Sequence, residues 1–241
     1  MVYKLRKELK KLENKQIIKD IKRYIDNSNS FYEDKTPEIK ILAKRLHDEY
    51  KLNDFYKVFN KLWTSCIYRK KYLAIYALEF YKEDFNIKTW KFVKSKLKDI
   101  KSFDIADYIS INIIGDMIIK IPKIKKELIK LSKKKNIWIK RVVIISLIRL
   151  IKKEKTDFIL NILQDNINNK ERRIQEAVGF VLKEMSQEKP SAVKKFILKN
   201  IHMPYMTLKL ATENMKELRK LRKIKKLDST KSDKLFFWKE I

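Results

Sequence analysis

Asp107 is the residue whose chemistry departs most from that of its surroundings. At steps of 35 residues along the chain, equivalent positions hold Tyr72, Asp107, Val142 and Ala177. The other residues of this helix face are mostly apolar, so the sequence places a carboxylate where water is otherwise excluded. Burying a carboxylate without a partner is costly. Asp107 is therefore either half of an ion pair, for which Arg141 is the candidate partner, or a functional carboxylate.

The composition leaves few other residues for chemistry. The 241 residues include two glycines, one cysteine and two histidines. Glycine-rich phosphate loops and nucleophile elbows need several glycines at fixed offsets, because glycine lets the backbone turn at positive φ or approach a ligand closely. A single cysteine, Cys66, excludes a disulfide framework, and the distant His47 and His202 provide no zinc site. We therefore predict no metal and no cofactor.

The 35-residue step also defines the elements that must position Asp107. Apolar residues recur at helical spacing almost everywhere, and the segments that begin at Lys70, Ile105, Lys140 and Gln175 resemble one another. A period in the range of ~20–50 residues made of two amphipathic helices is typical of an α-solenoid. We predict an all-α fold of HEAT-like two-helix repeats, curved with a basic concave face. After an N-terminal helix at 3–25, the predicted helix pairs are 37–64, 68–97, 104–132, 136–166, 170–199 and 203–225.

Positive charge dominates the chain. Lysine and arginine number 59 against 30 aspartate and glutamate residues, which gives a formal net charge of +29. A surplus of this size creates a long-range positive potential that gathers polyanions. We therefore predict nucleic acid as the partner; an anionic membrane, an acidic protein or a merely solubilising lysine coat are the alternatives. The charged N-terminal segment and the short apolar runs predict no membrane span, and we expect a cytoplasmic, nucleoid-associated protein.

The domain organisation expected from the sequence is one repeat domain at 1–225, followed by a linker and an apolar tail at 226–241. The tail segment Leu235–Trp238 either covers the exposed face of the last repeat, as solenoid caps do, or docks a partner.

Within the repeats, Gly179 is a mid-helix glycine, which costs about 1 kcal/mol relative to alanine. It precedes Phe180, and the missing side chain predicts close packing at this point.

Three motifs resemble those of the HEAT-like-repeat alkylpurine DNA glycosylases, the AlkD family. Phe-Asp-Ile-Ala-Asp at 103–107 is similar to the family's Trp-Asp-x-x-Asp, and Ile-Trp-Ile-Lys-Arg at 137–141 is similar to its Trp-x-x-Arg. Ile-Gln-Glu-Ala-Val-Gly-Phe at 174–180 resembles its Gln-Lys-Ala-Ile-Gly-Trp stretch. The similarity extends from about residue 20 to about residue 218 and keeps the order of the motifs.

Two upstream segments extend the resemblance toward the N-terminus. Tyr24 with Lys-Thr-Pro-Glu at 35–38 matches the family's Tyr and Gln-Thr-Pro-Glu, and Leu-Trp-Thr-Ser at 62–65 is similar to its Leu-Trp-x-Ser. Several positions in and around the motifs correspond to phosphate contacts in the family. The DNA-binding residues that we predict are Tyr24, Lys35, Thr36, Lys140, Arg149 and Lys183.

The resemblance implies a DNA repair glycosylase that hydrolyses the N-glycosidic bond of cationic N3- or N7-alkylated purines in double-stranded DNA; we expect it to be a monomer. Asp107 would be the catalytic carboxylate, Arg141 a contact to the DNA backbone beside the lesion, and Phe103 and Phe180 the two aromatic walls. Active family members carry Trp at both aromatic positions, and Phe offers a weaker cation–π surface, so a slower enzyme is expected. A non-catalytic paralogue that recognises bent or branched DNA is the alternative.

Overall fold

The computed structural model describes residues 36–153 and 156–222, and this part of the chain is helical without strands. The predicted all-α fold is thus confirmed. The helices of the described part are α1 Thr36–Glu49, α2 Leu52–Trp63, α3 Tyr68–Glu79, α4 Ile87–Lys96, α5 Phe103–Ile109, α6 Gly115–Lys120, α7 Lys125–Ser132, α8 Ile137–Ser146, α9 Thr156–Gln164, α10 Arg172–Glu188, α11 Pro190–Lys199 and α12 Tyr205–Ala211. The predicted helix at 3–25 and the tail at 226–241 lie outside the described residues.

The described residues divide into two compact units, with the boundary between Phe85 and Asn86. In the first unit, α1, α2 and α3 pack against one another. Helix α2 buries an aromatic face in which Phe59 and Trp63 stack with ring centroids 5.4 Å apart. The hydroxyl of Tyr81 donates to the carbonyl of Tyr50 at 2.5 Å, and burial raises the pKa of Tyr81 above its ordinary value. This contact joins the end of α1 to the segment after α3.

The second unit contains a row of four helices, α5, α8, α10 and α12, in which each helix packs against the next. These helices begin 33–35 residues apart, which matches the sequence repeat. Between them, α7 packs against α8 and α11 packs against α10. The helical repeats therefore have the spacing that the sequence predicts, and the row of four helices carries the residues of the candidate site.

Helix α8 is the second helix of this row, and a cap fixes its start. The Asn136 side chain accepts hydrogen bonds from the backbone N–H groups of Trp138 and Ile139, at 2.9 and 3.1 Å. Such caps satisfy backbone donors that the first turn of a helix leaves open. Residues 141–147 of this segment are all buried. In the described part of the chain, Arg141 is the one charged side chain among the buried residues.

Helix α5 continues into α6 through a wide turn of π-helix at Ser110–Ile114. The Ser110 hydroxyl donates to the carbonyl of Ala106 at 2.5 Å, a side-chain bond that competes with the regular backbone ladder. Gly115 follows the wide turn. A Cβ atom there would collide with the aliphatic stem of Arg149, so the glycine lets the segment after α8 approach α6 closely.

Gly179 explains the close packing that the sequence predicts beside Phe180. A Cβ atom at Gly179 would lie 2.9 Å from the carbonyl oxygen of Thr207 and 2.8 Å from the Cβ atom of Leu210. The neighbour that fills this space is therefore helix α12 of the protein itself. The hydroxyl of Thr207 also donates to the carbonyl of Gln175 at 3.1 Å, which fastens the two helices together.

Candidate functional site

Asp107 and Arg141 meet across the interface of α5 and α8. The guanidinium Nε of Arg141 donates to Oδ1 of Asp107 at 2.7 Å, and its Nη2 donates to Oδ2 at 2.6 Å. The third nitrogen, Nη1, donates to the backbone carbonyl of Arg173 at 2.7 Å. A guanidinium held by two carboxylate oxygens and a carbonyl is fixed in position and orientation. The partner that the sequence offers for Asp107 is thus the partner found.

Burial differs between the two members of this ion pair. The side chain of Arg141 is 9% exposed, whereas that of Asp107 is 27% exposed. The guanidinium therefore lies on the protein side and the carboxylate on the solvent side. Because each carboxylate oxygen has more than one acceptor direction, the two bonds from Arg141 leave acceptor capacity facing outward. The pair therefore turns its negative end toward solvent in a strongly basic protein.

Arg173 contacts both Arg141 and Trp138, the first through its backbone carbonyl and the second through its side chain. The guanidinium carbon of Arg173 lies 5.0 Å from the ring centroid of Trp138, which is cation–π distance. Trp138 precedes Arg141 on α8 by three residues, close to one helical turn, so both side chains are on one side of the helix. The side chain of Arg173 covers Trp138 while its backbone carbonyl holds Arg141.

The two predicted aromatic walls are placed differently. Phe103 is four residues before Asp107 on α5, so it shares the face of the carboxylate, and it is 62% exposed. An aromatic ring this exposed gains little from the protein core. Phe180 is half-buried on α10, seven residues after Arg173. The described contacts connect Asp107, Arg141 and Arg173 to one another, and Phe180 is not part of that set.

The predicted DNA-binding cations of the described part lie in the second unit and contact polar groups of the protein. Lys140 lies with its Nζ 3.5 Å from Oδ1 of Asn166. Lys183 forms an ion pair of 2.9 Å with Glu213 and holds the pKa of that carboxyl below its usual range. Tyr24 and Lys35 lie outside the described residues. Thr36 is the first residue of α1, and its side chain is not described.

Arg149 forms a second ion pair between the same two helical segments that Asp107 and Arg141 join. Its Nη2 and Nε donate to a single oxygen, Oδ1 of Asp116, at 2.5 and 3.0 Å. The Arg149 side chain is 47% exposed and that of Asp116 is 23% exposed. Here the guanidinium is the outer member, the reverse of the Asp107–Arg141 pair.

Two members of the cluster, Trp138 and Arg173, were not predicted as site residues. A signal for Trp138 exists in the sequence, because Phe103 and Trp138 are 35 residues apart and so occupy the same position of the repeat. The next step of 35 residues reaches Arg173. The register thus brings together a phenyl ring, an indole ring and a guanidinium in successive helices, although it does not show that the last two touch.

The described ranges contain no group of three or more His, Cys, Asp or Glu side chains that could hold a metal ion. In the same ranges, no helix has both the length and the apolar character that crossing a membrane requires.

A row of packed helices that holds a buried arginine against an outward-facing carboxylate defines an all-α helical-repeat protein with a charged surface site. The family model of the DNA alkylation repair enzymes matches residues 5–215 of the chain. The protein belongs to this family, which supports a role in DNA repair. None of the curated proteins is similar enough in sequence to count as a match.

Solved structures agree with this fold. A predicted DNA alkylation repair enzyme from Enterococcus faecalis superposes with a TM-score of 0.70 at 16% identity, over 84% of this chain and 96% of the other. AlkD2 from Streptococcus mutans gives a TM-score of 0.62 at 16% identity, over 80% and 97% of the two chains. The protein smu.31 from Streptococcus mutans UA159 gives 0.56 at 15% identity, over 78% and 90%. At such low identity these likenesses concern the fold.

Proposed function

We propose that the protein is a DNA glycosylase that hydrolyses the N-glycosidic bond of cationic N3- or N7-alkylated purines in double-stranded DNA, with Asp107 as the catalytic carboxylate. The observation that supports this most directly is the order of exposure in the ion pair, with the carboxylate outside and the guanidinium inside. Membership of the DNA alkylation repair enzyme family supports the substrate class.

The reaction requires little from the protein because the alkylated purine is already positively charged and leaves readily. As the bond to the base breaks, positive charge develops on the deoxyribose, as in the oxocarbenium-like transition states of glycoside hydrolysis. A carboxylate held at a fixed position stabilises that charge without having to reorganise. Arg141 supplies the fixed position, since its two bonds to Asp107 set the plane of the carboxylate. The purine departs as a neutral base with the electron pair of the broken bond, and water adds to C1′ of the sugar and loses a proton to solvent.

The exposed ring of Phe103 supplies an apolar face one helical turn from the carboxylate. A purine cation beside this ring would gain cation–π and stacking energy on the order of 0.5–2 kcal/mol. Tryptophan would give more, so we expect a modest rate. Phe180, half-buried on α10, is proposed as the second wall in accordance with the family motif.

Binding to the duplex is proposed to depend on cations around the site. Arg149 is exposed and is a phosphate contact in this proposal, and Lys140 and Lys183 of the same unit are further phosphate contacts. Phosphate oxygens would compete with Asp116 and Glu213 for Arg149 and Lys183. A net charge of +29 favours this exchange at low salt, because each phosphate contact releases counterions from the DNA.

The test is base release by the Asp107→Asn variant, which keeps the shape of the side chain and removes its charge. Duplex DNA that contains 7-methylguanine is incubated with excess enzyme, and abasic sites are converted to strand breaks and counted. We expect Asp107→Asn to slow single-turnover release about 10²–10³-fold, the range for one electrostatic contact to a transition state. Asp165→Asn is the matched control, since Asp165 forms a 3.4 Å pair with Lys133 and is 46% exposed.

Three outcomes are informative. Base release by the parent protein, loss in Asp107→Asn and normal release by Asp165→Asn support the proposal. Base release that is equal in the parent and in Asp107→Asn contradicts the role of the carboxylate. Duplex binding by the parent without any base release contradicts the enzyme assignment and identifies a non-catalytic DNA-binding member of the family.

We also propose that the protein is a monomer. The mass of the protein in solution, measured by light scattering, tests this.

A further inference from the structure

A positively charged side chain, that of Arg173, lies over the indole ring of Trp138. The Arg173 guanidinium lies over this ring at 5.0 Å, and Trp138 itself is half-buried at the start of α8. A cation over a partly desolvated indole is stabilised by the electron density of the ring. The position next to Arg141 thus shows an affinity for cations that is independent of any acidic side chain.

The guanidinium that occupies this face is weakly held. Arg173 is an exposed residue, and the contact described for its side chain is the one to Trp138. Arg141, by comparison, is buried and makes three hydrogen bonds of 2.6–2.7 Å. The carbonyl of Arg173 that holds Arg141 belongs to the backbone. The Arg173 side chain can therefore swing away without disturbing the bonds that fix Arg141 and Asp107.

We propose that the face of Trp138 is a cation subsite for the substrate purine, which Arg173 occupies while no substrate is bound. The positively charged base displaces the guanidinium and takes its place over the indole ring. A neutral purine lacks the charge needed to compete with Arg173, so the side chain acts as an internal competitor that favours alkylated over normal bases. The identity of the cation rests on the proposed function, whereas the existence of the subsite rests on the contact between Arg173 and Trp138.

If Arg173 competes with the base for the indole face, substitutions of Arg173 and Trp138 change cation affinity in opposite directions. Removing Arg173 should improve cation binding, because the competitor is gone. Removing Trp138 should weaken cation binding, because the surface is gone. If the two residues served only to hold α8 against α10, both substitutions would act in the same direction, since either one would loosen the support of Arg141.

The experiment measures the affinity of the full chain for 7-methylguanosine and for guanosine by equilibrium dialysis. For Arg173→Ala we expect 7-methylguanosine to bind about 2- to 5-fold more tightly, which corresponds to one exposed cation–π contact. For Trp138→Leu we expect binding at least about fivefold weaker. Trp138→Phe keeps an aromatic face and should restore part of the binding. Arg172→Ala is the matched control, because the neighbouring Arg172 is exposed and pairs with Glu176 at 2.9 Å.

Opposite shifts in Arg173→Ala and Trp138→Leu, seen with 7-methylguanosine and not with guanosine, support the subsite. Weaker or unchanged binding in Arg173→Ala, or unchanged binding in Trp138→Leu, overturns it. This readout needs no turnover, so it separates the two claims: the subsite can exist in a protein that releases no base, and base release can occur in a protein that fails this test. Thermal melting of each variant establishes that it is folded.

Discussion

Two ion pairs, Asp107–Arg141 and Asp116–Arg149, join the same two helical segments and differ in almost every other respect. In the first, the arginine is 9% exposed and both carboxylate oxygens accept a bond. In the second, the arginine is 47% exposed and a single oxygen accepts both bonds. The first pair also has a third acceptor, the carbonyl of Arg173.

The difference indicates what each pair can be used for. A buried guanidinium with three fixed acceptors cannot leave without large cost, so its effect is to hold the carboxylate of Asp107 still. An exposed guanidinium with two bonds to one oxygen can exchange that oxygen for another, such as one of a phosphate. The more exposed member of the first pair is thus the negative carboxylate, and the more exposed member of the second is the positive guanidinium.

The largest effect on stability is expected from a substitution of Arg141, the buried arginine of the first pair. Arg141→Ala leaves the Asp107 carboxylate and the Arg173 carbonyl without a donor. Removing one member of a buried pair costs ~3–5 kcal/mol. Since Asp107 is 27% exposed and water can reach it, we expect a loss of about 2–3 kcal/mol in the free energy of unfolding. Urea denaturation measures it.

The exposed pair provides the comparison for that measurement. Arg149→Ala should cost no more than about 1 kcal/mol, as exposed ion pairs contribute little. Its aliphatic stem packs against Gly115, so Arg149→Met keeps the packing and isolates the loss of charge. Equal losses for Arg141→Ala and Arg149→Ala would contradict the view that burial separates the two pairs.

A smaller effect is expected on DNA affinity. Arg149→Gln should weaken duplex binding a few-fold at low salt and lower the slope of log affinity against log salt by about 1, as for one lost phosphate contact. Asp116→Asn should shift the affinity in the opposite direction, because the Arg149 guanidinium loses its protein partner. Filter binding or fluorescence anisotropy over a salt series gives both values. An unchanged slope in Arg149→Gln would remove Arg149 from the DNA interface.

The smallest effect concerns a third ion pair, Lys94–Glu127, which is exposed on both sides. The Lys94 ammonium donates to Oε2 of Glu127 at 2.6 Å and holds the pKa of that carboxyl below its usual value near 4.5. A lowered pKa in the folded state gives stability that is present above the unfolded-state value and disappears as pH falls through the folded-state value. The parent should therefore be slightly more stable than Glu127→Gln at pH 6.

That advantage should shrink as the pH falls below about 4.5. Urea midpoints of the parent and of Glu127→Gln, measured at pH 6 and at successively lower pH, follow the difference. We expect it to stay below about 1 kcal/mol at every pH, because both side chains are 38–40% exposed. A difference that grows with acidity would mean that the carboxyl is destabilising and that the sign is wrong.

The sequence predicts much of this arrangement because the repeat defines which residues share a helix face. The helix pairs and the meeting of Asp107 with Arg141 follow from the 35-residue step and from the cost of an isolated buried carboxylate. The stacking of Arg173 on Trp138 does not follow, since register places side chains near one another without fixing the direction of a long, exposed arginine. The pairing of Arg149 with Asp116 was not predicted for the same reason.

Gly179 shows a second limit. The sequence indicates that something must approach this position closely, because a mid-helix glycine is otherwise unfavourable. It does not indicate whether the neighbour is a ligand or the protein itself. The structure places the backbone of α12 there, with the Thr207 carbonyl 2.9 Å from where a Cβ atom would be. The sequence also does not predict the wide turn at Ser110–Ile114. The pattern of polar and apolar residues does not distinguish a single π-helical turn from an α-helical one.

That wide turn lies between Asp107 and Asp116, and both ion pairs are present on either side of it. Asp107 meets a residue 34 positions further along the chain, whereas Asp116 meets one 33 positions further along. The segment from Asp107 to Asp116 therefore contains one residue more than the segment from Arg141 to Arg149. The wide π-helical turn accommodates this extra residue. Deleting one residue at 110–114 should consequently return this turn to regular α-helix while Asp107 and Asp116 both keep their arginine partners. A helix can in this way accept a one-residue insertion without losing the contacts on either side of it.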